Sequence, residues 1–265
     1  MKTKIITLLV AIGMGVAGTS IQAQTPEEKG LEIARETDAR DLGWKNSSTV
    51  LKMTLRNRNG QTSSRELSIK TLETNAAGMG DKSLTVFSSP RDVDGTAFLS
   101  HTKITEPDDQ WLYLPALKRV KRISSSNKSG PFVGSEFAFE DLTSQEVEKY
   151  EHKYLKDETV DGQLCFVTER KPVYKNSGYT RQISWIDQKE YRVFKIEYYD
   201  RKNSLLKTLV FSDYKQYKDK YWRAQTMEMI NHQSKKSTTL QFSDYDFETA
   251  LPESSFTSAR LKSIR

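Results

Sequence analysis

The sequence predicts a mainly β protein, one domain of antiparallel strands arranged as a meander or barrel. Three observations carry the expectation. About a dozen short runs alternate apolar and polar residues with a period of two, and Asn-Gly and Asp-Gly turns punctuate them. Roughly 240 residues follow the N-terminal leader without a linker-like tract, enough for one large β domain with a sizeable core.

The leader comes first. Lys2 and Lys4 precede a mostly apolar run from Ile5 to Ala17, and Ile21-Gln22-Ala23 stands before Gln24. A charged start, a short apolar core and a small residue at the cut make a secretory signal peptide, residues 1–23, with the mature domain at 24–265. A membrane-spanning helix needs about 20 apolar residues; this run is shorter and contains Gly13 and Gly15. No cysteine follows the apolar core, so a lipid anchor is not expected. The single Cys165 excludes an internal disulfide. A disulfide-free exported chain fits a bacterial periplasm better than eukaryotic secretion.

After the leader, TPEEKGLEIARETDARDLGW reads as a helix. Pro26, Glu27 and Glu28 suit a first turn, Leu31, Ile33 and Ala34 supply a thin apolar side, and Gly43 is placed to stop it. STVLKMTLRNRNGQTSSRELSIKTLE is then two alternating runs around Asn59-Gly60, a strong hairpin signal. SLTVF, TAFLSHTKI, DQWLYLP and LKRVKRI follow as short strands. Further on come EKYEHKYLKDE, QLCFVTERK, TRQISWIDQ, RVFKIEYYD, LLKTLVFSDYKQY, KYWRAQTMEMINH and KSTTLQFSDYDF. Asp161-Gly162 and Asn176-Ser177-Gly178 mark turns among them. In RVFKIEYYD, alternation puts Phe194, Ile196 and Tyr198 on one face; in QISWID it pairs Ile183 with Trp185. Such one-sided strands line either a packed core or an apolar ligand cavity.

Little in the chain demands catalysis. His101, His152 and His232 sit on separate predicted strands. Glu148 and His152 are four apart, a spacing that converges only on a helix, so no zinc site is expected. There is no Gly-x-Ser-x-Gly elbow and no Gly-rich phosphate loop. Asp108 and Asp109 read as a turn into a strand, and Cys165 as a buried, inert thiol. No cofactor is called for.

The stretch from Leu114 to Phe132, LPALKRVKRISSSNKSGPF, is different. It carries Lys118, Arg119, Lys121, Arg122 and Lys128 and no acid. Loss of Lys2 and Lys4 with the leader lowers the formal net charge from +6 to +4, so this basic run is a local feature. An exported protein meets little nucleic acid. The run is either a solvated edge strand, where Lys discourages aggregation, or a contact for anionic head groups or an acidic partner.

FSSPRDVDGTAFLSH and DDQWLYLPALKRVKRISSSNKSGPFVGSEFAFEDL, with the later strands, resemble the LolA-like outer-membrane lipoprotein-sorting proteins, in the subgroup associated with RND-type exporters. The block from Phe87 to Leu142 is the most specific part. The resemblance implies an unclosed antiparallel β-barrel of about eleven strands, closed over by helices, around a cavity for the acyl chains of a lipid or lipoprotein. It also implies a carrier between inner and outer membranes, not an enzyme, with an inner-membrane RND-type exporter as partner and peripheral contact with the membrane. The alternative is an envelope sensor or exporter subunit that binds lipid to regulate a partner. On this basis Arg91, Phe132, Trp111 and Tyr113 are the candidate ligand or lid residues. Lys118, Arg119, Lys121 and Arg122 are the candidate head-group or partner contacts, beside a mobile mouth loop from Ser124 to Gly134. Glu140 and Asp141 are expected to pair with nearby cations.

Overall fold

The computed structural model describes residues 23–74 and 76–263. The expected leader therefore lies outside the described residues, Ala23 excepted. No helix among the described residues is long and apolar enough to cross a membrane.

The first element is α1 (Pro26–Arg40). Thr25 caps it, with Glu28 reaching back to the Thr25 backbone N–H at 2.8 Å, so both orphan donors are satisfied. Its buried positions are Gly30 and Ile33, a narrower apolar side than Leu31, Ile33 and Ala34 suggested.

Two meanders follow. The first is β1 (Asn46–Arg56), β2 (Thr62–Leu72), β3 (Met79–Ser89), β4 (Ala97–Lys103), β5 (Asp109–Leu114) and β6 (Arg119–Ile123). The second is β7 (Tyr150–Val160), β8 (Gln163–Pro172), β9 (Tyr179–Asp187), β10 (Val193–Asp200), β11 (Leu205–Tyr217), β12 (Tyr221–Asn231) and β13 (Lys236–Phe242). Each alternating run of the sequence becomes one of these strands. The last run divides, its tail forming β14 (Asp246–Phe247) against the start of β1. Period-two burial is plain in β1, where Ser47, Thr49, Leu51 and Met53 are buried and Val50 and Lys52 exposed. Asp161 and Gly162 both adopt positive φ, the backbone of a two-residue hairpin turn, between the paired Val160 and Gln163.

Pairing of β1 with β13 joins the meanders into one 14-stranded sheet, ordered from β6 through β1 and β13 to β7. This exceeds the expected count of about eleven, and a sheet so wide curls on itself. No pairing joins β6 to β7 among the described residues, so the barrel is unclosed. The cover also differs from the expected set of helices. One α-helix, the β6–β7 connection and a C-terminal run of 3-10 turns supply it.

That connection, residues 124–149, fills the interior. Phe132, Phe137 and Phe139 join Leu51, Leu67, Phe98, Ile196, Leu209 and Leu240 in the main core. Phe132 is 1% exposed, its ring 5.3 Å from Phe98 and 5.6 Å from Phe139. It is a core plug, where the sequence suggested the tip of a mobile loop; stacking among three aromatics outweighs solvation of the loop's polar residues. On the outer face, Phe256 and Leu261 pack on Leu84, Leu99, Trp111 and Tyr113. A bulge between Val193 and Lys195 breaks the alternation of β10. Ile196 and Tyr198 face the main core, while Phe194 packs with Ile183, Trp185 and the fully buried Cys165.

Candidate ligand cavity

α1 lies across the second meander like a strap. Near its start the helix touches β7: a Cβ on Gly30 would stand 2.6 Å from the Lys153 backbone, so only glycine permits the approach. At its far end Arg40 donates to the Lys189 carbonyl at 2.9 Å, Asp41 pairs with Arg223 at 2.5 Å, and Lys220 donates to the Leu42 carbonyl at 2.6 Å. The helix is thus held at both ends. Between the helix and the sheet lies a partly open cavity of about 640 Å³, within the range of small-molecule sites.

The wall is graded. From β10–β12 it takes the apolar and aromatic Val193, Ile196, Phe211, Tyr214 and Met227, with Gln216 and the carboxylate-paired Arg223 from the same strands beside them. Toward β7 and β8 it becomes polar, with His152, Thr168 and Arg170, joined by Gln145 from the β6–β7 connection. Burial, aided by the Arg170 charge and opposed by the Val147 carbonyl it bonds at 2.9 Å, lowers the His152 imidazole below its ordinary range. Arg192 is neutralised by Asp187 at 2.8 Å. Burial alone would raise the Asp187 carboxyl, but the Glu190 backbone N–H and Arg192 hold it below the usual range. Arg170 has no carboxylate partner among the described residues. Its Nε donates to Gln182 at 2.7 Å, Nη2 to Gln145 at 3.3 Å, and the guanidinium lies 4.6 Å over the Tyr150 ring.

Behind the polar end, the β6–β7 connection is tied down by buried charge. Lys207 meets Asp141 at 2.7 Å, with both side chains almost fully buried, and also donates to the Glu136 carbonyl at 2.9 Å. Tyr179 donates to Asp141 at 2.8 Å. Of the two acids expected to pair with nearby cations, Asp141 finds one 66 residues away. Glu140 instead accepts from Gly178, Ser177 and Tyr174 at 2.8 to 3.2 Å. Burial raises its carboxyl, the neighbouring Asp141 adding to the effect. A second group of acids lies nearby. Burial pushes Asp81 up to about 6, with the Glu73 charge adding to the effect, and burial followed by the Asp81 charge pushes Glu146 up to about 7.

None of the residues selected from the sequence lines the cavity. Arg91 is exposed in the turn after β3. Trp111 and Tyr113 lie on the outer face of β5 under the C-terminal segment, Trp111 with His101 at 5.1 Å. Phe132 is in the core. Lys118, Arg119, Lys121 and Arg122 occupy the turn before β6 and the exposed edge strand itself. Arg122 pairs with Asp109, and Lys128 lies 3.4 Å over the Tyr174 ring. The basic run is thus an edge strand, not a rim to this cavity. The histidines stay apart, bonded to Phe256, Val147 and Thr208. Among the described residues no cluster of His, Cys, Asp or Glu could hold a metal. The cavity lining went unmarked in the sequence, although the one-sided strand containing Ile196 was a partial signal for it.

Residues 79–263 match a protein-family model that carries the description "Uncharacterized protein". No curated protein matches the chain. Among solved structures, a domain from Vibrio parahaemolyticus named for outer membrane lipoprotein sorting is 58% identical with a TM-score of 0.87, over 89% of this chain and 99% of that one. A DUF1329 family protein from Desulfovibrio piger is 29% identical with a TM-score of 0.85, over 90% and 100% of the two chains. A LolA superfamily protein from Nitrosomonas europaea shares the fold, at 18% identity and a TM-score of 0.70 over 87% and 98%.

Proposed function

We propose that this chain, which belongs to the outer membrane lipoprotein-sorting protein family, is a periplasmic carrier that takes the acyl part of a lipid or lipoprotein into the cavity beneath α1. The observation that carries the reading is the cavity itself, about 640 Å³ with an apolar wall on β10–β12 and a helix strapped across it. Burial of hydrocarbon supplies about 0.8 kcal/mol per methylene and needs no covalent chemistry or cofactor. The carrier domain is residues 24–265, exported behind the leader at 1–23. The resemblance of the block from Phe87 to Leu142 supports an RND-type exporter as the inner-membrane partner. The cationic edge at Lys118, Arg119 and Lys121 is the surface that meets an anionic membrane or an acidic partner.

Native mass spectrometry of protein gently purified from a periplasm should show a lipid-sized adduct. A fluorescent fatty acid should bind the emptied protein, and Met227→Trp, which fills the apolar end, should weaken that binding at least tenfold. A protein that is empty on isolation and ignores the probe would refute the carrier reading.

A further inference from the structure

The cavity's cations are not equivalent. Arg192, Arg223 and Arg40 are each matched to a carboxylate, Asp187, Asp41 and Glu36 respectively. Lys220 reaches a backbone carbonyl at the exposed end of the helix. Arg170 alone among these faces the chamber from β8 without a carboxylate partner among the described residues, with side-chain amide oxygens, the Tyr150 ring and, across the β7–β8 pair, His152 around it. Keeping a guanidinium charged beside an apolar chamber is costly unless an anion compensates it.

The geometry also leaves the reactive side of the guanidinium open. Gln182, 2% exposed and therefore fixed, takes Nε at 2.7 Å and sets the plane of the group. Nη2 makes only the longer 3.3 Å contact to Gln145, and Nη1 has no hydrogen-bond partner among the described residues. A fork oriented through Nε, with terminal donors to spare, suits a carboxylate or phosphate, which an arginine can hold by two parallel bonds. Arg170 of β8 lines the same chamber as the apolar Phe211 of β11 and Met227 of β12.

We infer that Arg170 anchors the head of the cargo, and that the cargo is an amphiphile with one anionic head, carboxylate or phosphate, and hydrocarbon lying toward β11 and β12. This rests on the carrier reading and adds the chemical class of the ligand. A purely structural Arg170, a strut from β8 to the Gln145 loop, would show no such preference for charge.

Calorimetric titration of the delipidated protein with laurate, dodecyl phosphate and dodecanol separates the cases. At least one of the two anions should bind roughly tenfold to a hundredfold more tightly than the alcohol, the range of a charge-assisted hydrogen bond. The stronger of the two identifies the head as carboxylate or phosphate. Arg170→Met should abolish the preference while leaving dodecanol binding in place, and Arg170→Lys should retain part of it. Should Arg170→Met fail to fold, Arg170→Gln reads the same loss. Equal binding of all three chains, or a preference that survives loss of the arginine charge, overturns the inference and leaves the carrier standing. Failure of the native protein to bind any of them overturns the carrier reading, and the inference with it.

Discussion

Lys207→Met should destabilise the protein far more than an ordinary surface change, because it strands a carboxylate inside. The Asp141 side chain is 3% exposed and the Lys207 side chain 4%. Asp141 receives Lys207 at 2.7 Å, Tyr179 at 2.8 Å and the Ala138 backbone N–H at 2.6 Å. Breaking a buried pair by removing one partner costs about 3 to 5 kcal/mol. The two neutral donors that remain place Lys207→Met near the lower end, about 3 kcal/mol. Asp141→Leu should cost a similar amount by stranding the ammonium on the Glu136 carbonyl. The double variant, Lys207→Met with Asp141→Leu, removes both charges and loses only the hydrogen bonds to Tyr179, Ala138 and Glu136. It should therefore fall at least about 2 kcal/mol short of the summed single effects. Urea unfolding with shared m-values measures all four proteins. A cost below about 1 kcal/mol for Lys207→Met, or strictly additive effects, would refute the view that this pair clamps the β6–β7 connection into the core.

Two further outcomes are expected. Glu146, pushed up to about 7 first by burial and then by Asp81 and Asp38, holds its proton more tightly when folded than when unfolded. The native protein should thus lose stability as pH rises from about 4.5 through about 7. Glu146→Gln should flatten that fall and gain on the order of 1–2 kcal/mol at alkaline pH after discounting for solvent screening. Thermal midpoints at acid and alkaline pH check it; an unaltered pH profile would sink the idea. At the cationic edge, Lys118→Glu with Lys121→Glu should leave the thermal midpoint unchanged, since exposed charges contribute little to folding. Cosedimentation with anionic vesicles should fall severalfold at low salt, and unchanged, salt-insensitive binding would reduce β6 to a protected edge.

Much of this fold is legible residue by residue. Alternation with a period of two locates β1 to β13, because successive side chains of a strand must point to opposite faces. Asn59-Gly60 and Asp161-Gly162 locate hairpins, because they tolerate positive φ. The acids and Pro26 locate α1 through its dipole and its missing donor. These are local properties, decided within a few residues. Which face looks inward is not local. The bulge beside Phe194 sends it away from Ile196 and Tyr198, although all three alternate together in the sequence. Phe132 reads as an exposed loop tip until Phe87, Phe98 and Phe139 surround it. Lys207 and Asp141 carry no mark of each other along the chain. The cavity is the least legible feature, because apolar residues that line a void are the same residues that fill a core. Only the fit of distant segments, with α1 strapped over one half of the sheet and the aromatic connection packed into the rest, decides where volume remains unfilled.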